Sequence, residues 1–335
     1  MAHLITIAGG GLAGLSAGIG LVGQGASVVL HEAGTYPRHR VCGEFISGVT
    51  DETLERLGIL SCFEGATRLE TMAWFHKANR ILTAKLPSRA RGISRYRLDQ
   101  RLRDQLLESG GIVNDHSRLL PDGREGTLWC AGRPKKTGVW TGLKSHFANL
   151  NLEADLEMHL GRGCYVGLCR IEAGLVNVCG LFPSDLAKRS GGALPSTLEA
   201  CGLSQLATRL RQAEYRDGSR MGISSFHLGW QQGELPASCG DAAVMIPPFT
   251  GNGMSMAFEA ALEAVACLAG YSAGRTSWTA ACGTLAGRLG KRFGSRMRLA
   301  CMLHPFLTHD SGQLVLSAAA RARILPVSTI FGILR

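Results

Sequence analysis

The order of hydrophobic and polar positions predicts an α/β region at the start of the chain, a sheet in its middle and helices at its end. Residues 4–8 form a short apolar strand that runs directly into a glycine-rich turn and a helix of small and aliphatic residues, and a second apolar strand follows at 27–30. Between about 67 and 86, and from about 138 to 182, apolar and polar residues alternate with a period of two, which is typical of half-buried strands. Apolar residues at helical spacing then predict a long helix from about 253 to 270.

The alternation also predicts details of the middle sheet. At 154–160, four apolar residues alternate with Asp155, Glu157 and His159, so one side of this strand is expected to face a core and the other the solvent. Residues 164–170 and 175–181 predict a hairpin around a turn at 172–174. Residues 128–132 predict a strand that returns to the N-terminal sheet.

Composition bounds the kind of protein. The chain has 335 residues, of which 45% are hydrophobic and 19% charged, so it can bury a large core and is not expected to be disordered. This length predicts two domains, or one large domain with an insertion. Aromatic residues make up only 6%, which argues against a stacking surface for single-stranded nucleic acid. No membrane-spanning helix is expected, because no uninterrupted apolar run reaches the length of about 18 residues that a span needs.

The charge of the chain is strongly basic. There are 36 lysine and arginine residues against 26 acidic residues, a net charge of +10. Six arginines lie between 88 and 103 with Asp99 as the only acid there, and eight basic residues follow Leu285 against Asp310 alone. Besides a merely solvated basic face, the C-terminal cluster predicts docking on an acidic carrier protein or on an anionic membrane surface. No nucleic-acid partner is expected.

The cysteines and the first residues indicate a reduced compartment. Eleven cysteines are present without a Cys-x-x-Cys pair, and Cys164, Cys169 and Cys179 lie within strand-like alternation, so they are interpreted as reduced core residues. No cluster of histidine and cysteine has metal-ligand spacing, and no metal site is expected. The chain enters its first strand without a signal sequence, which predicts a cytoplasmic protein.

The first glycine turn carries the strongest chemical signal. Gly9, Gly11 and Gly14 have the spacing G-x-G-x-x-G between the first strand and the first helix. The first glycine permits the turn, the second permits close approach to a pyrophosphate, and the third permits tight packing of helix on strand. The helix N-terminus then offers free N–H groups to phosphates. Glu32 ends the second strand, where an acid would bind ribose hydroxyls, so this order predicts a dinucleotide site but leaves FAD and NAD both open.

A later segment adds the second half of such a site. Residues 237–254 read Ala-Ser-Cys-Gly-Asp-Ala-Ala-Val-Met-Ile-Pro-Pro-Phe-Thr-Gly-Asn-Gly-Met. Asp241 is placed to hydrogen-bond a ribityl hydroxyl, and the turn from Gly251 to Gly253 opens a helix whose N-terminus would face the flavin pyrimidine edge, where negative charge develops on reduction. The alternative interpretation is a loop of glycine and proline that only caps a core helix.

Together these segments resemble a known family. The N-terminal GGGLAG, the Arg-x-x-Leu-Asp sequence that starts at Arg95 and the GDAA…PPFTGNGM segment resemble the flavoproteins related to para-hydroxybenzoate hydroxylase, and within them the geranylgeranyl reductase-like branch. The resemblance implies an α/β fold: a glutathione-reductase-type FAD-binding Rossmann domain interrupted by a β-sheet substrate domain. It implies FAD as the cofactor and NAD(P)H as an external reductant without a Rossmann domain of its own. The implied FAD-binding domain comprises 1–66, 88–137 and 220–282, the substrate domain 67–87 and 138–219, and the basic C-terminal helices 283–335.

The resemblance also implies site residues. The loop Arg40-Val41-Cys42-Gly43 is similar to a basic-x-Cys-Gly loop beside the isoalloxazine, and Arg95 matches an arginine that approaches the FAD, with Asp99 opening the helix that follows. The full set of predicted cofactor-binding residues is Gly9, Gly11, Leu12, Ala13, Gly14, Glu32, Arg40, Cys42, Gly43, Arg95, Gly240, Asp241, Pro248, Gly251, Asn252, Gly253 and Met254. No catalytic residue is assigned, and His227, Tyr215, His76 and Tyr165 stay open as candidates for a general base.

Departures from the family leave the reaction open. The reductase branch has a Tyr-x-Trp-x-Phe-Pro strand, of which only Tyr165 is kept, the comparable middle motif of the hydroxylases is replaced by 130–134, and a Trp-x-Trp-x-Ile-Pro halogenase signature is absent. The first hypothesis is therefore an FAD-dependent monooxygenase acting on an apolar, phenolic or polyketide-like molecule of secondary metabolism. The alternatives are a flavin-dependent C=C reductase of a prenyl or polyene chain, and a non-catalytic flavin- or nucleotide-binding protein.

Overall fold

A computed structural model describes residues 3–133, 138–224, 228–231 and 235–334. The strands are β1 Ile5–Ala8, β2 Val28–His31, β3 Phe45–Ser47, β4 Thr67–His76, β5 Asn79–Gly92, β6 Ile112–Asn114, β7 Thr127–Trp129, β8 Trp140–Ala148, β9 Leu156–Gly161, β10 Cys164–Arg170, β11 Val176–Pro183, β12 Glu214–Tyr215, β13 Met221–Ser224, β14 Gly229–Trp230 and β15 Val244–Met245. The α-helices are α1 Leu12–Gly23, α2 Asp51–Arg56, α3 Arg95–Glu108, α4 Ser184–Arg189, α5 Leu194–Ala200, α6 Ser204–Gln212, α7 Gly253–Ser272, α8 Trp278–Thr308, α9 Asp310–Arg321 and α10 Val327–Ile333.

Four short strands form a parallel sheet in the order β6-β2-β1-β7. The predicted return of the chain to this sheet is confirmed, since β7 pairs with β1. Helix α1 packs between α3 and α7 because its glycines leave room: a Cβ on Gly18 would stand 3.1 Å from Leu106, and one on Gly20 would stand 2.7 Å from Val265. The largest core cluster joins this sheet with α1, α3, α7 and α8.

The second sheet has nine strands, with the order β12-β8-β11-β10-β9-β4-β5-β3 and β13 paired with β8. The predicted hairpin is confirmed as β10 and β11, which pair antiparallel. An α/β fold with a Rossmann-type parallel sheet and a large second sheet is therefore confirmed. The strand pairing places 45–47, 88–92 and 221–224 in the large sheet, beyond the predicted boundaries, because β5 continues to Gly92 to pair with β3 and β13 pairs with β8.

The prediction that the polar side of 154–160 faces solvent was wrong for β9. Glu157 is fully buried and His159 is only 4% exposed. Helix α6 covers this side of the strand, and its Arg209 donates to the Glu157 carboxylate at 3.0 Å, while the His159 imidazole lies 2.8 Å from the same carboxylate. A buried acid is tolerated here because hydrogen bonds and opposite charge replace its water.

Helix α7 is the core helix of the first sheet. It is the one helix, among the described residues, that is long and apolar enough to cross a membrane by length and composition, although Glu259 and Glu263 interrupt its apolar run. Since 61% of that apolar window is buried against the rest of the protein, packing against α1 and α8 accounts for its apolar character.

The C-terminal helices cover both sheets. Helix α8 packs along α7, and its Arg296 is buried in an ion pair with Glu259 at 2.8 Å. The neighbouring Arg292 and Arg288 pair with Glu263. Helix α9 inserts Gln313 under the large sheet, where its amide donates to the carbonyls of Gly161 and Leu307. The cysteines are free, and only Cys301 is exposed among them.

Candidate cofactor and substrate site

The glycine turn between β1 and α1 has the geometry that its spacing predicts. Gly9 has a φ of +104°, and a Cβ there would stand 2.5 Å from the backbone of Ala131. A Cβ on Gly14 would overlap the carbonyl oxygen of Gly9. Gly11 is the N-cap of α1 and caps it with no side chain, so the first N–H groups of Leu12 and Ala13 keep their donors for a ligand.

Glu32 directly follows β2, as predicted, and its carboxylate accepts four hydrogen bonds. It accepts from the backbone amides of Gly10 at 2.8 Å and Gly34 at 2.9 Å, and from Arg38 at 2.6 Å and Arg40 at 3.3 Å. Burial alone would raise the pKa of this carboxyl, but Arg40, the Gly34 amide and Arg38 together hold the pKa below its usual value. Glu32 is therefore ionised and able to accept hydrogen bonds.

Arg95 and Arg40 meet on one buried carboxylate. Arg95 donates to Asp99 through two nitrogens, at 2.6 and 2.8 Å, and Arg40 donates to the same group at 2.9 Å. The prediction that Asp99 opens the helix was wrong: α3 begins at Arg95, because Ser94 caps it by accepting from the Arg97 amide. Asp99 thus lies one turn inside, where an i to i+4 pair fixes the Arg95 guanidinium.

The Cys42–Gly43 loop lies between the two sheets. The carbonyl of Cys42 accepts from the Asn177 side chain of β11 at 2.9 Å, and Gly43 is exposed. Burial raises the pKa of the Cys42 thiol, although the nearby Arg95 opposes the shift, so the thiol is protonated at neutral pH. Two of the predicted loop residues thus have different neighbours. Arg40 contacts Glu32 and Asp99, and Cys42 lies beside Arg95.

A buried ionic network beside this loop was missed by the sequence analysis. The fully buried Glu44 carboxylate lies 3.1 Å from the Lys144 ammonium and 2.6 Å from the His146 imidazole, and it accepts from the Arg95 amide at 2.9 Å. Lys144 also contacts the His39 ring nitrogen at 3.1 Å. Burial and Lys144 lower the pKa of His39 to about 4, so this ring is neutral at physiological pH. The sequence places Lys144 and His146 on alternate positions of a strand, and nothing local links them to Glu44.

The second predicted segment, residues 237–254, contacts the glycine turn and the start of α1. A Cβ on Gly240, whose φ is +64°, would stand 2.8 Å from the Cβ of Ala13 at the start of α1. Asp241 next to it is exposed to the cleft. The surrounding protein raises the pKa of its carboxyl, and Arg95, Arg133 and Arg40 act against this shift. The two remote segments therefore line the same cleft.

The predicted turn before α7 lies close to the second segment, since Gly253 lines one small cavity together with Gly240 and Asp241. Gly251 has a φ of +67° and a Cβ there would press on the Phe45 ring, at 2.7 Å from one ring carbon. The Asn252 amide donates to the Leu334 carbonyl, and its own carbonyl oxygen is buried with no hydrogen-bond partner among the described residues. Pro248 and Gly253 are exposed, whereas Met254 points into the core.

An aromatic cluster extends from this turn into the large sheet. The His304 ring of α8 lies with its centroid 6.0 Å from that of Tyr165, 6.3 Å from Phe249 and 5.7 Å from Trp140. The Tyr165 hydroxyl and the His304 Nε2 are buried. The backbone amide of Phe249 faces the Tyr165 oxygen, whereas the Tyr165 O–H and the His304 Nε2 have no further partner among the described residues. Burial lowers the pKa of His304 to about 4, which keeps the imidazole neutral. His304 was not singled out by sequence, since it lies in a helix remote from every motif.

The other candidates for a general base lie elsewhere. Tyr215 is 41% exposed on the edge strand β12, and His76 ends β4 at its turn into β5. His227 lies outside the described residues. Of the three candidates that the structure describes, Tyr165 lies beside the turn that precedes α7.

Comparison with solved structures shows what this architecture is similar to. p-Nitrophenol 4-monooxygenase PnpA from Pseudomonas putida aligns with a TM-score of 0.76 at 14% identity, over 98% of this chain and 96% of its own. The flavin-dependent brominase Bmp2 aligns with a TM-score of 0.74 at 14% identity, over 99% and 93%. HpxO from Klebsiella pneumoniae, solved with FAD and uric acid, aligns with a TM-score of 0.73 at 18% identity, over 99% and 97%. This chain has the fold of the flavin-dependent monooxygenases and halogenases.

The comparisons go no further than the fold. No protein-family model and no curated protein sequence matches the chain. Of the three neighbours named above, one is described as a monooxygenase, one as a brominase and one was solved with FAD, so the narrower assignment to a geranylgeranyl reductase-like branch stays a prediction.

The described residues fit the phosphate end of FAD. A Cβ on Gly11 would meet only the Arg95 guanidinium, at 3.9 Å, so the backbone is open where a pyrophosphate would approach. The uncapped helix N-terminus and the guanidinium groups of Arg38, Arg40 and Arg95 supply positive charge for two phosphates. Arg40 contacts Asp99 through Nε and Glu32 through Nη2, so its Nη1 can donate to a phosphate oxygen without loss of these contacts.

Proposed function

We propose that the protein is an FAD-dependent monooxygenase that acts on an apolar, phenol-like small molecule, with NAD(P)H as the external reductant. The observation that carries this proposal is the contact of Gly240 with Ala13, which brings the predicted ribityl-binding Asp241 to the start of the pyrophosphate-binding helix. A loop that only capped α7 would not need a left-handed glycine packed against the start of α1. The proposal thus depends on both halves of the cleft.

The start of α1 and the segment 237–254 are assigned to different parts of the cofactor. The N–H groups at the start of α1, with Arg40 and Arg95, bind the pyrophosphate, and Glu32 accepts from the ribose hydroxyls. Asp241 accepts from a ribityl hydroxyl. The positive end of α7, at Gly251–Gly253, stabilises the negative charge that a reduced flavin carries at its pyrimidine edge. FAD supplies the redox chemistry between NAD(P)H, dioxygen and the substrate, and the protein supplies orientation and exclusion of water.

The aromatic cluster of Trp140, Tyr165, Phe249 and His304 is proposed to bind the substrate. Phe249 and Trp140 present apolar surface, while the Tyr165 O–H has no acceptor and the His304 ring nitrogen has no donor among the described residues. Buried polar groups without partners are costly, so a ligand that completes their hydrogen bonds is favoured. A phenol does this with one group: its oxygen accepts from Tyr165, and its O–H donates to the neutral His304 ring.

Cofactor and reaction are tested together on the purified protein. We expect a yellow protein, or a colourless one that turns yellow when FAD is added, and NADPH oxidation with oxygen uptake that rises when small phenols are supplied. A protein that binds no FAD under these conditions contradicts the proposal. FAD binding without any NAD(P)H oxidation or oxygen uptake supports the non-catalytic flavin-binding alternative instead.

An anaerobic experiment distinguishes the C=C reductase alternative from the proposed monooxygenase. Tyr165 is the residue of the reductase-type strand that this chain keeps, and it lies in the aromatic cluster. Anaerobic turnover of a polyene or prenyl substrate by dithionite-reduced protein, without any oxygen-dependent product from phenols, supports the reductase. Hydroxylated phenol with no anaerobic turnover supports the monooxygenase.

The role of the Tyr165 hydroxyl is tested by Tyr165→Phe. Because only the Phe249 amide faces this hydroxyl among the described residues, its removal is expected to change the unfolding free energy by no more than about 1 kcal/mol. The KM for the phenol is expected to rise about tenfold, which corresponds to one lost hydrogen bond. Tyr271→Phe, at a buried tyrosine stacked on His3, is the control and should leave the KM unchanged. An unaltered KM in Tyr165→Phe contradicts this substrate site.

A further inference from the structure

The C-terminal helices expose an unusual amount of apolar surface. Among the described residues, fifteen large apolar side chains are exposed, and six of them lie between 302 and 333. Four of these are exposed by more than half: Met302 (70%), Leu314 (62%), Val315 (58%) and Ile324 (72%). Single exposed apolar residues are ordinary, but a concentration in one region marks an interaction surface.

These side chains point away from the sheet on one side of the molecule. Leu307 of α8 and Ala320 of α9 belong to the same buried cluster under the large sheet, so the two helices lie on it side by side. A Cβ on Gly312 would stand 2.6 Å from the Cα of Phe306, which shows how closely the helices join. Met302 and Phe306 are one turn apart on the outward side of α8, and Leu314 and Val315 lie on the outward side of α9, opposite the buried Gln313 and Ser317.

Positive charge borders this apolar surface. Arg298, Arg321 and Arg323 are exposed and make no ion pair within the described ranges, and Asp310 is the one acid after residue 298. Burial, Lys77 and Arg321 together lower the pKa of His76, so the turn after β4 adds its lysine to the same end of α9. By contrast, the arginines earlier in α8 to which the sequence pointed are neutralised, since Arg292 and Arg296 pair with Glu263 and Glu259.

We propose that the outward surface of α8, of α9 and of the residues just after α9, formed by Met302, Phe306, Leu314, Val315 and Ile324 and bordered by Arg298, Arg321 and Arg323, docks on the surface of an anionic lipid bilayer. A bilayer interface presents negative head groups directly above hydrocarbon, which matches apolar side chains bordered by unpaired arginines. Methionine, phenylalanine and arginine also occur at protein interfaces, but the border of this surface carries charge of one sign, which favours the anionic bilayer. Docking is peripheral and does not depend on the proposed flavin chemistry.

Vesicle flotation of the full-length protein tests the proposal. With vesicles of phosphatidylcholine that contain about 30% phosphatidylglycerol, we expect the protein to float, and with phosphatidylcholine alone we expect binding to fall roughly tenfold. Binding to the anionic vesicles should also fall as salt rises. Absence of flotation with anionic vesicles at low salt overturns the proposal.

Variants separate the two parts of the surface. Leu314→Glu with Val315→Glu, and separately Arg321→Glu with Arg323→Glu, are each expected to lower vesicle binding about tenfold or more. The control is Leu120→Glu with Val139→Glu, at side chains that are 75% and 71% exposed outside this surface, and it should float like the wild type. All these positions are exposed, so circular dichroism should show an unchanged thermal transition.

Two outcomes exclude lipid docking. Equal flotation of the surface variants and the control would show that the vesicles contact another region. A dimer in light scattering that dissociates in Leu314→Glu with Val315→Glu, together with no vesicle binding by the wild type, would assign the surface to contact between two copies of the chain. Both results are independent of whether FAD binds.

Discussion

Gly240 packs against Ala13 so closely that a Cβ on the glycine would lie 2.8 Å from the alanine Cβ. The two residues belong to segments that are separated by most of the chain. Their contact places Asp241 beside the uncapped start of α1 and within reach of the charges of Arg95 and Arg40. The cleft therefore depends on one small residue with a left-handed backbone.

The first prediction follows from this contact. Gly240→Ala must strain a φ of +64° and overlap Ala13, so we expect it to lower the unfolding free energy by about 2 kcal/mol and to weaken FAD binding. Urea unfolding and FAD titration measure the two effects. Gly283→Ala in α8, where an added Cβ meets nothing within 4 Å, is the control and should be neutral or stabilising by about 0.5–1 kcal/mol. Equal stability of the Gly240 variant and the wild type would contradict the importance of the contact.

The second prediction separates cofactor binding from folding at the glycine turn. A Cβ on Gly11 meets only Arg95 at 3.9 Å, so Gly11→Ala should cost at most about 1 kcal/mol of unfolding free energy. The same Cβ projects toward the predicted pyrophosphate, and we expect FAD affinity to fall by at least about tenfold. Fluorescence titration with FAD and thermal unfolding test both statements.

Gly14→Ala is the matched comparison within the same turn. Its Cβ would overlap the backbone carbonyl of Gly9, which cannot move aside, so we expect a loss of about 3 kcal/mol or failure to fold. If Gly11→Ala bound FAD as tightly as the wild type, the backbone at Gly11 would not be the phosphate site.

The third prediction concerns the buried pair of Glu44 and Lys144, which are both fully buried and 3.1 Å apart. Lys144→Met leaves the carboxylate with His146 and one backbone amide, and we expect the unfolding free energy to fall by about 3–5 kcal/mol. Glu44→Gln with Lys144→Met should cost less than the sum of the single variants by about 1–3 kcal/mol, since neither charge is then left alone. Urea unfolding of the four proteins gives this cycle.

An exposed ion pair provides the control for that cycle. Arg80 and Glu153 lie 2.8 Å apart with both side chains at least half exposed, so Arg80→Met should cost no more than about 1 kcal/mol. Additive effects of the Glu44 and Lys144 variants would show that the two groups do not interact in the folded protein.

The fourth prediction is a pH dependence of stability. Burial lowers the pKa of His304 in the folded protein to about 4, below its ordinary value of about 6.5. The unfolded chain thus binds a proton that the folded protein does not bind between these values. The unfolding free energy is fully retained above pH 6.5 or so and decreases as the pH falls toward 4. His39, whose pKa burial and Lys144 also lower to about 4, acts in the same direction.

Replacing one of these histidines tests the effect. His304→Phe keeps an aromatic ring against Phe249 and removes the titration, so the loss of unfolding free energy between about pH 7 and pH 5 should shrink by about 1 kcal/mol, allowing for its partial exposure. Urea unfolding at the two pH values measures the change. His3→Gln, at an exposed histidine remote from α8, should leave the loss as in the wild type.

Some features were predictable because their physical causes are local. The glycine spacing from Gly9 to Gly14, the β10–β11 hairpin and the start of α7 at Gly253 all follow from backbone sterics and from periodicity within a few residues. The start of α3 was missed by four residues because Ser94, and not Asp99, caps the helix. Both residues are good helix caps, and the sequence does not say which one is used.

Other features depend on residues far apart in the chain. Glu157 and His159 look like the solvent side of a strand, yet α6 covers them and Arg209 completes their hydrogen bonds. The basic residues after Leu285 look alike, yet Glu259 and Glu263 neutralise those in the middle of α8 and leave Arg298, Arg321 and Arg323 unpaired among the described residues. Charge counts alone cannot show which arginines are available to a partner.

Local sequence patterns are sufficient to predict the α/β character, the glycine turn at the start of α1 and the two segments from which a cofactor cleft is built. The packing of distant elements is needed to bring Gly240 to Ala13, to enclose Glu44 between Lys144 and His146, and to place His304 beside Tyr165. The reason is physical: backbone conformation responds to neighbouring residues, whereas burial and ion pairing depend on which distant elements pack together.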